Sequence, residues 1–172
     1  MSKRFCPHCH NEVVKSEVEG YSWQCLECEE DFYNFEVLDE AEEKKAQEIT
    51  EMKVVVCQPN NKAFITTIPN TLEAKQKLVG GWIEAVYPWE DRIALICNEE
   101  GKYNGSELNR ALCDEDGKMY DIVAGTFFIC GLTDDDFGSL SDELAEKYMK
   151  MFLYPELFIR THQGIQVIKI QD

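Results

Sequence analysis

Apolar residues gather in short dense runs over residues 54–57, 82–86, 93–97 and 121–132, and they alternate with polar ones over 63–68 and 165–170. Runs this short, rich in β-branched and aromatic side chains and bounded by Pro, Asn, Asp or Gly, read as strands. Residues 54–57 and 63–68 flank a turn at Asn61-Lys62 and predict a hairpin. The runs 82–86 and 93–97 are joined through Pro88 and sit near the middle of the apolar part of the chain. Residues 72–79 carry a helical pattern, with Asn70 or Thr71 as N-cap and Gly80-Gly81 as the stop. A second helix is predicted from about Ser141 to Phe152, capped by Ser139 or Ser141 and ended by Pro155. Residues 106–112 read as a helical turn or irregular loop, 121–132 as one long strand, and 165–170 as an edge-like last strand. Strands outnumber helices and do not alternate strictly with them. The expected fold over 53–172 is therefore α+β, a mostly antiparallel sheet with about two helices.

The chain before residue 53 follows another pattern. Residues 36–52 hold seven acids and two lysines, lack Gly and Pro, and offer only a thin apolar stripe of Leu38, Ala46, Ile49 and Met52. They read as a charged helical linker. Residues 1–35 carry Cys6-Pro7-His8-Cys9 and Cys25-Leu26-Glu27-Cys28. The stretch between the pairs suits a short hairpin: Val13, Val14 and Val18, a turn at Glu19-Gly20, then Tyr21 and Trp23. Two Cys-x-x-Cys turns aim four sulfurs at one point, the donor set of a tetrahedral Zn2+ site with Zn–S near ~2.3 Å. So short a segment has almost no core, and the metal is expected to supply its folding free energy. The arrangement resembles the zinc-ribbon family over residues 5–35, through Cys6, Cys9, Cys25, Cys28 and the run Trp23-Gln24-Cys25. It departs from that family at His10, where ribbons often have Gly. Four thiolates fill the shell, so the zinc is read as structural and His8 and His10 as surface residues.

Charge narrows the partners. In 172 residues, Asp and Glu number 33 against 17 Lys and Arg, for a formal net charge of −16. The first 35 residues alone set seven acids against three bases. Such a chain is repelled by nucleic acid and by anionic membrane, and it is attracted to basic protein surfaces. A ribbon that reads nucleic acid should show a basic face, and this one does not. No run approaches the ~20 apolar residues of a membrane span, and the start of the chain has no apolar leader. A cytoplasmic location is expected. There, eight cysteines serve as metal ligands and core residues rather than as a disulfide frame.

Beyond the ribbon, one constellation invites a chemical reading. Asn98, Glu99 and Glu100 follow an apolar strand, and Asn109-Arg110 comes soon after. Converging, these five would make a ligand corner or an acid–base site. Against that, adjacent carboxylates on an extended chain point to opposite sides, and Asn98 with Gly101 is what a plain strand-ending turn uses. Cys57, Cys97 and Cys130 lie in or beside apolar strands. Cys113 stands next to Asp114, which opposes thiolate formation, and His162 is the only imidazole outside the ribbon. The chain has no phosphate-binding Gly-rich loop, no Gly-x-Ser-x-Gly and no His-Glu-x-x-His.

The runs Val79-Gly80-Gly81-Trp82-Ile83-Glu84 and Cys97-Asn98-Glu99-Glu100-Gly101, with Asn109-Arg110, resemble the DUF3846 family, a domain of unknown function. The strand at Ala124-Gly125-Thr126 and the helix over 139–152 also fit it. The resemblance covers about residues 53–158. It implies a phage or mobile-element setting, mainly in Gram-positive bacteria, hence a host cytoplasm. It carries no reaction or ligand, and the ribbon is an addition to the family's common core. Together these readings predict a zinc ribbon over 1–35, a linker over 36–52 and an α+β domain over 53–172. The expected function is non-enzymatic contact with a basic protein partner. Two alternatives stand beside it: an anti-defence DNA mimic that inhibits a host nuclease, and a ligand binder or enzyme using Asn98, Glu99, Glu100, Asn109 and Arg110. An exposed last strand would also allow pairing across a dimer.

Overall fold

A computed structural model describes residues 3–47 and 50–171, with the backbone alone for 45–47. Ile49 and the side chain of Ala46, both assigned above to the linker stripe, lie outside the described residues. The chain divides into two compact units, Met1–Ile49 and Thr50–Asp172.

In the first unit, β1 (Val14–Lys15), β2 (Trp23–Cys25) and β3 (Glu30–Phe32) form an antiparallel sheet in the order β1-β2-β3. Its core consists of Cys6, Val13, Cys25, Phe32 and Val37. Helix α1 (Glu40–Gln47) follows, with Asp39 accepting from the amides of Ala41 and Glu42. Residues 36–52 are thus not one tether. Val37 is buried in the core of the first unit, Leu38 bridges Phe5, and Glu51 and Met52 open a strand of the second unit. High charge density hid these anchoring apolar residues, which are single and not periodic.

The second unit is built on a six-stranded sheet. Strands β4 (Glu51–Cys57), β5 (Phe64–Pro69), β6 (Ile83–Val86), β7 (Ile93–Asn98) and β10 (Phe127–Leu132) run in the order β5-β4-β10-β7-β6, and β11 (Phe137–Gly138) pairs with β10. Two hairpins complete it, β8 (Leu108–Cys113) with β9 (Met119–Ala124) and β12 (Glu156–Thr161) with β13 (Gly164–Lys169). Every described strand pair is antiparallel, and the fold is α+β, with three helices among the described residues.

The dense apolar runs follow from burial on both faces of this sheet. Alternation sends Val55, Cys57, Leu95, Phe127 and Ile129 to one face, under Ala145, Tyr148 and Phe152. Met52, Val54, Val56, Ile96 and Phe128 go to the other, with Val79 of the opposite helix. The two helices are α2 (Leu72–Val79) and α3 (Asp142–Met151). Thr71 caps α2 by accepting from the Ala74 amide, and Gly80 ends it at φ 79°, where only Gly sits without strain. Ser141 caps α3, while Ser139 accepts from the Lys53 amide.

Three expected elements differ. Residues 106–112, read as a helical turn or loop, contain most of β8; polar Asn109 and Arg110 are buried there, so the hydrophobic pattern misleads. The single long strand over 121–132 is two strands, broken at Gly125 with φ 77°. The last strand is an edge as expected, but it is one arm of a hairpin whose other arm, β12, the sequence reading did not include.

Candidate metal centre and the placement of the other site residues

The two Cys-x-x-Cys turns meet. The sulfurs of Cys6, Cys9, Cys25 and Cys28 all lie within 4.8 Å of one another, Cys6 to Cys28 at 3.9 Å and Cys9 to Cys25 at 3.4 Å. A tetrahedron with Zn–S near ~2.3 Å has sulfur edges of about 3.8 Å, so the spacing suits a metal of that size. Backbone amides point at the sulfurs: His8 N lies 3.4 Å from Cys6 Sγ, and Cys28 N lies 3.4 Å from Cys25 Sγ. Such amides stabilise thiolates.

Without a cation the cluster resists full ionisation. Burial pushes the Cys6 thiol up, the Cys9 sulfur with burial pushes Cys28 far up, and Cys9 falls to about 7, foremost through the Asn11 amide. Four ionised sulfurs at this spacing require a positive ion between them. The histidines are turned to carboxylates instead. His8 Nδ1 sits 2.8 Å from Glu30, and His10 Nδ1 sits 2.9 Å from Glu43, which is only 3% exposed.

The residues following each second cysteine, His10 and Glu29, adopt φ values of 62° and 56°. A side chain in this left-handed region costs roughly 1 kcal/mol. Glu29→Gly is therefore expected to tighten apparent metal affinity by about five-fold, since ~1.4 kcal/mol is ten-fold. Competition with a chromophoric chelator measures it, and unchanged or weaker affinity would refute the strain argument. His10→Gly should gain less, because it also removes the contact with Glu43.

The five residues singled out in the second unit do not converge. Glu99 and Glu100 stand exposed on the turn after β7, where Asn98 Oδ1 accepts from the Glu100 amide at 2.9 Å. Asn109 and Arg110 are buried. Arg110 Nε donates to Phe152 O at 3.1 Å, Nη2 to Asn61 O at 2.7 Å, and Nη1 to Asn109 Oδ1 at 2.7 Å. Among the described residues, none of its hydrogen bonds reaches Glu99 or Glu100. The turn needs its Asn98 and Gly101 for its own geometry, and a Cβ on Gly101 would come within 2.7 Å of Ala124 O. The thiols of Cys57, Cys97 and Cys130 are driven up by burial to about 12, 11 and 12.

Glu156 escaped the sequence reading. It is buried, accepts from the Ala111 amide at 2.7 Å, and is held above its ordinary pKa by burial. The missed signal was the short apolar run Leu157-Phe158-Ile159 between Pro155 and the turn before Gly164. A groove of about 730 Å³ lies beside it, lined in part by Trp89, Asp91, Cys113, Lys147 and Tyr148. Three of its polar groups engage one another: Lys147 Nζ and Tyr148 Oη both donate to Asp91, at 2.5 and 2.8 Å. Lys147 foremost holds Asp91 below its usual range.

Among the described residues, no helix is long and apolar enough to cross a membrane. No curated protein and no solved structure matches the chain. The model of one family does match, over residues 52–153. That span runs from β4 through the end of α3 and leaves out both the four-cysteine unit and the β12–β13 hairpin. The chain belongs to the family described as a domain of unknown function (DUF3846).

Proposed function

We propose that this is a non-catalytic contact protein of a phage or mobile element, folded at its front end as a structural zinc ribbon and binding a partner with a basic surface. The closed four-sulfur cluster carries the reading. With all four positions taken by thiolates, the ion has no place for a water or substrate and acts as a scaffold. The net charge of −16 supplies the partner's chemistry. The five polar residues around Asn98 and Arg110 serve a turn and a core instead of one site, which supports contact over chemistry. The same charge supports a narrower form, in which the acids occupy the DNA groove of a host nuclease.

Metal analysis of the purified full chain should find one zinc per molecule. Immobilised zinc-loaded protein should retain a basic host protein at low salt, and retention should weaken as salt screens the charges. Competition by duplex DNA for the retained protein would favour the narrower form. A chain without stoichiometric zinc, or one that retains nothing at low or moderate salt, would overturn the proposal.

A further inference from the structure

The first unit presents three aromatic rings to solvent in one continuous stack. Tyr21 and Tyr33 stack at 4.9 Å between centroids and 27° between planes, and Tyr33 and Phe35 stack at 5.6 Å and 4°. Exposure is 40%, 43% and 84% in that order. Hydrophobic gain does not explain rings left this open, and Phe35 buries little of itself against its own chain.

The stack is placed by the hairpin. Trp23 pairs with Phe32 and Cys25 with Glu30, so the cysteine turn closes one end of β2–β3 and the rings stand at the other. A turn then fixes Phe35: Glu36 N donates to Tyr33 O at 3.1 Å, and Glu36 Oε2 accepts from the Tyr33 amide at 2.8 Å. The platform is thereby ordered before any partner arrives, which lowers the entropic cost of binding.

Charge selects what the rings can hold. Two carboxylates flank the stack: Glu36, whose Oε2 accepts from the Tyr33 amide at 2.8 Å, and Asp31 of β3, two residues before Tyr33 and so on the same side of the chain. Nucleic acid bases also stack on aromatics, but their phosphates would meet these carboxylates. Lys3 pairs with Glu12, and Lys15 lies 4.0 Å from the Trp23 ring centroid. That last contact shows within the same unit how a cation settles on one of its rings. Among cationic side chains, the planar guanidinium both stacks on a ring and forks to a carboxylate, which an ammonium cannot do.

We propose that the Tyr21–Tyr33–Phe35 stack is a docking platform for arginine side chains of a basic protein segment, with Asp31 and Glu36 neutralising the guanidinium charge. This rests on the contact reading above and names the chemistry that one part of the surface recognises.

The test uses the full zinc-loaded chain and fluorescein-labelled Gly/Ser peptides carrying arginines, or lysines at the same places, read by anisotropy at near-physiological salt. The arginine peptide should bind more tightly than the lysine peptide. Tyr33→Ala and Phe35→Ala should each weaken it by about two- to five-fold, and Phe35→Tyr should retain it. Zinc content and melting temperature of each variant establish that the unit is still folded. Equal binding by wild type and both Ala variants, or tighter binding of an oligo-dT strand than of the arginine peptide, would overturn this inference and leave the acidic-contact reading intact. Absence of binding by either basic peptide even at low salt would bring down both.

Discussion

Removal of the metal, by a strong chelator or by Cys25→Ser, is expected to unfold the N-terminal unit and leave the sheet unit folded. Five side chains, of which only Phe32 is large, make up the buried core among the described residues of the first unit, and two of them belong to the four-cysteine cluster. Its strands are two and three residues long. A core of this size cannot offset the conformational entropy of ordering roughly 45 residues at about 1–2 kcal/mol each. Coordination by four thiolates contributes about 10–16 kcal/mol in comparable small metal domains, enough to tip the balance. Proton NMR separates the units cleanly. The Trp23 indole should lose its dispersed resonance on metal removal, whereas Trp82 and Trp89 should keep theirs. Cys113→Ser, exposed and outside the cluster, is the matched control and should change neither unit. Retention of the dispersed Trp23 signal in metal-free protein would show that the unit folds by itself and would remove the ion from its structural role.

Arg110→Ala should destabilise the second unit by about 3–5 kcal/mol, the range for breaking a buried, fully engaged charge. Arg110 is 0% exposed. Its guanidinium ties β8 to the carbonyl that ends α3 and to the turn between β4 and β5, through Phe152 O and Asn61 O. Asn109 extends the network, donating to Cys57 O at 2.9 Å and to Gly125 O at 2.7 Å. Burial lowers the Arg110 pKa, and the Cys57 thiol and the Glu156 carboxylate oppose that shift. Truncation takes a donor from four acceptors, Phe152 O, Asn61 O, Asn109 O and Asn109 Oδ1, where each acceptor left unsatisfied costs about 1–3 kcal/mol, and it opens a cavity. Arg110→Met keeps most of the volume and should cost less than Ala. The urea midpoint of the sheet unit, followed by Trp89 fluorescence, reads the difference. A loss below about 1 kcal/mol for Ala would mean that the network relaxes or admits water, and the clamp role would fall. By contrast, Glu99→Gln with Glu100→Gln should stay within about 0.5 kcal/mol of wild type, as exposed turn substitutions do.

These two expectations mark what was readable from the chain alone. The metal-binding pattern is local: each Cys-x-x-Cys pair makes its own turn, so spacing declares the donors before any tertiary contact is known. Helix α2 was equally plain, because Thr71 and Gly80 act within one turn of the backbone they cap. The apolar runs of β4 and β7 announced strands, β10 was announced as part of one longer strand, and the antiparallel α+β class followed from strands that outnumber helices without alternating with them. Arg110 and Glu156 were not readable in this way. A charged residue in a strand gives no sign of burial, since the carbonyls that satisfy it come from Asn61 and Phe152, 49 and 42 residues away. Nor could adjacency in sequence show that Glu99 and Glu100 face water while Asn109 and Arg110 turn into the core.

Sequence by itself determined which four cysteines come together as candidate metal donors, the fold class and the sign of the net charge, because turns, periodicity and composition act over a few residues or over the whole chain. Only the tertiary structure decided which polar residues share a site and which rings stand open to solvent. Those depend on contacts between segments far apart in the chain, where hydrogen-bond partners and burial are set by packing and leave no local trace.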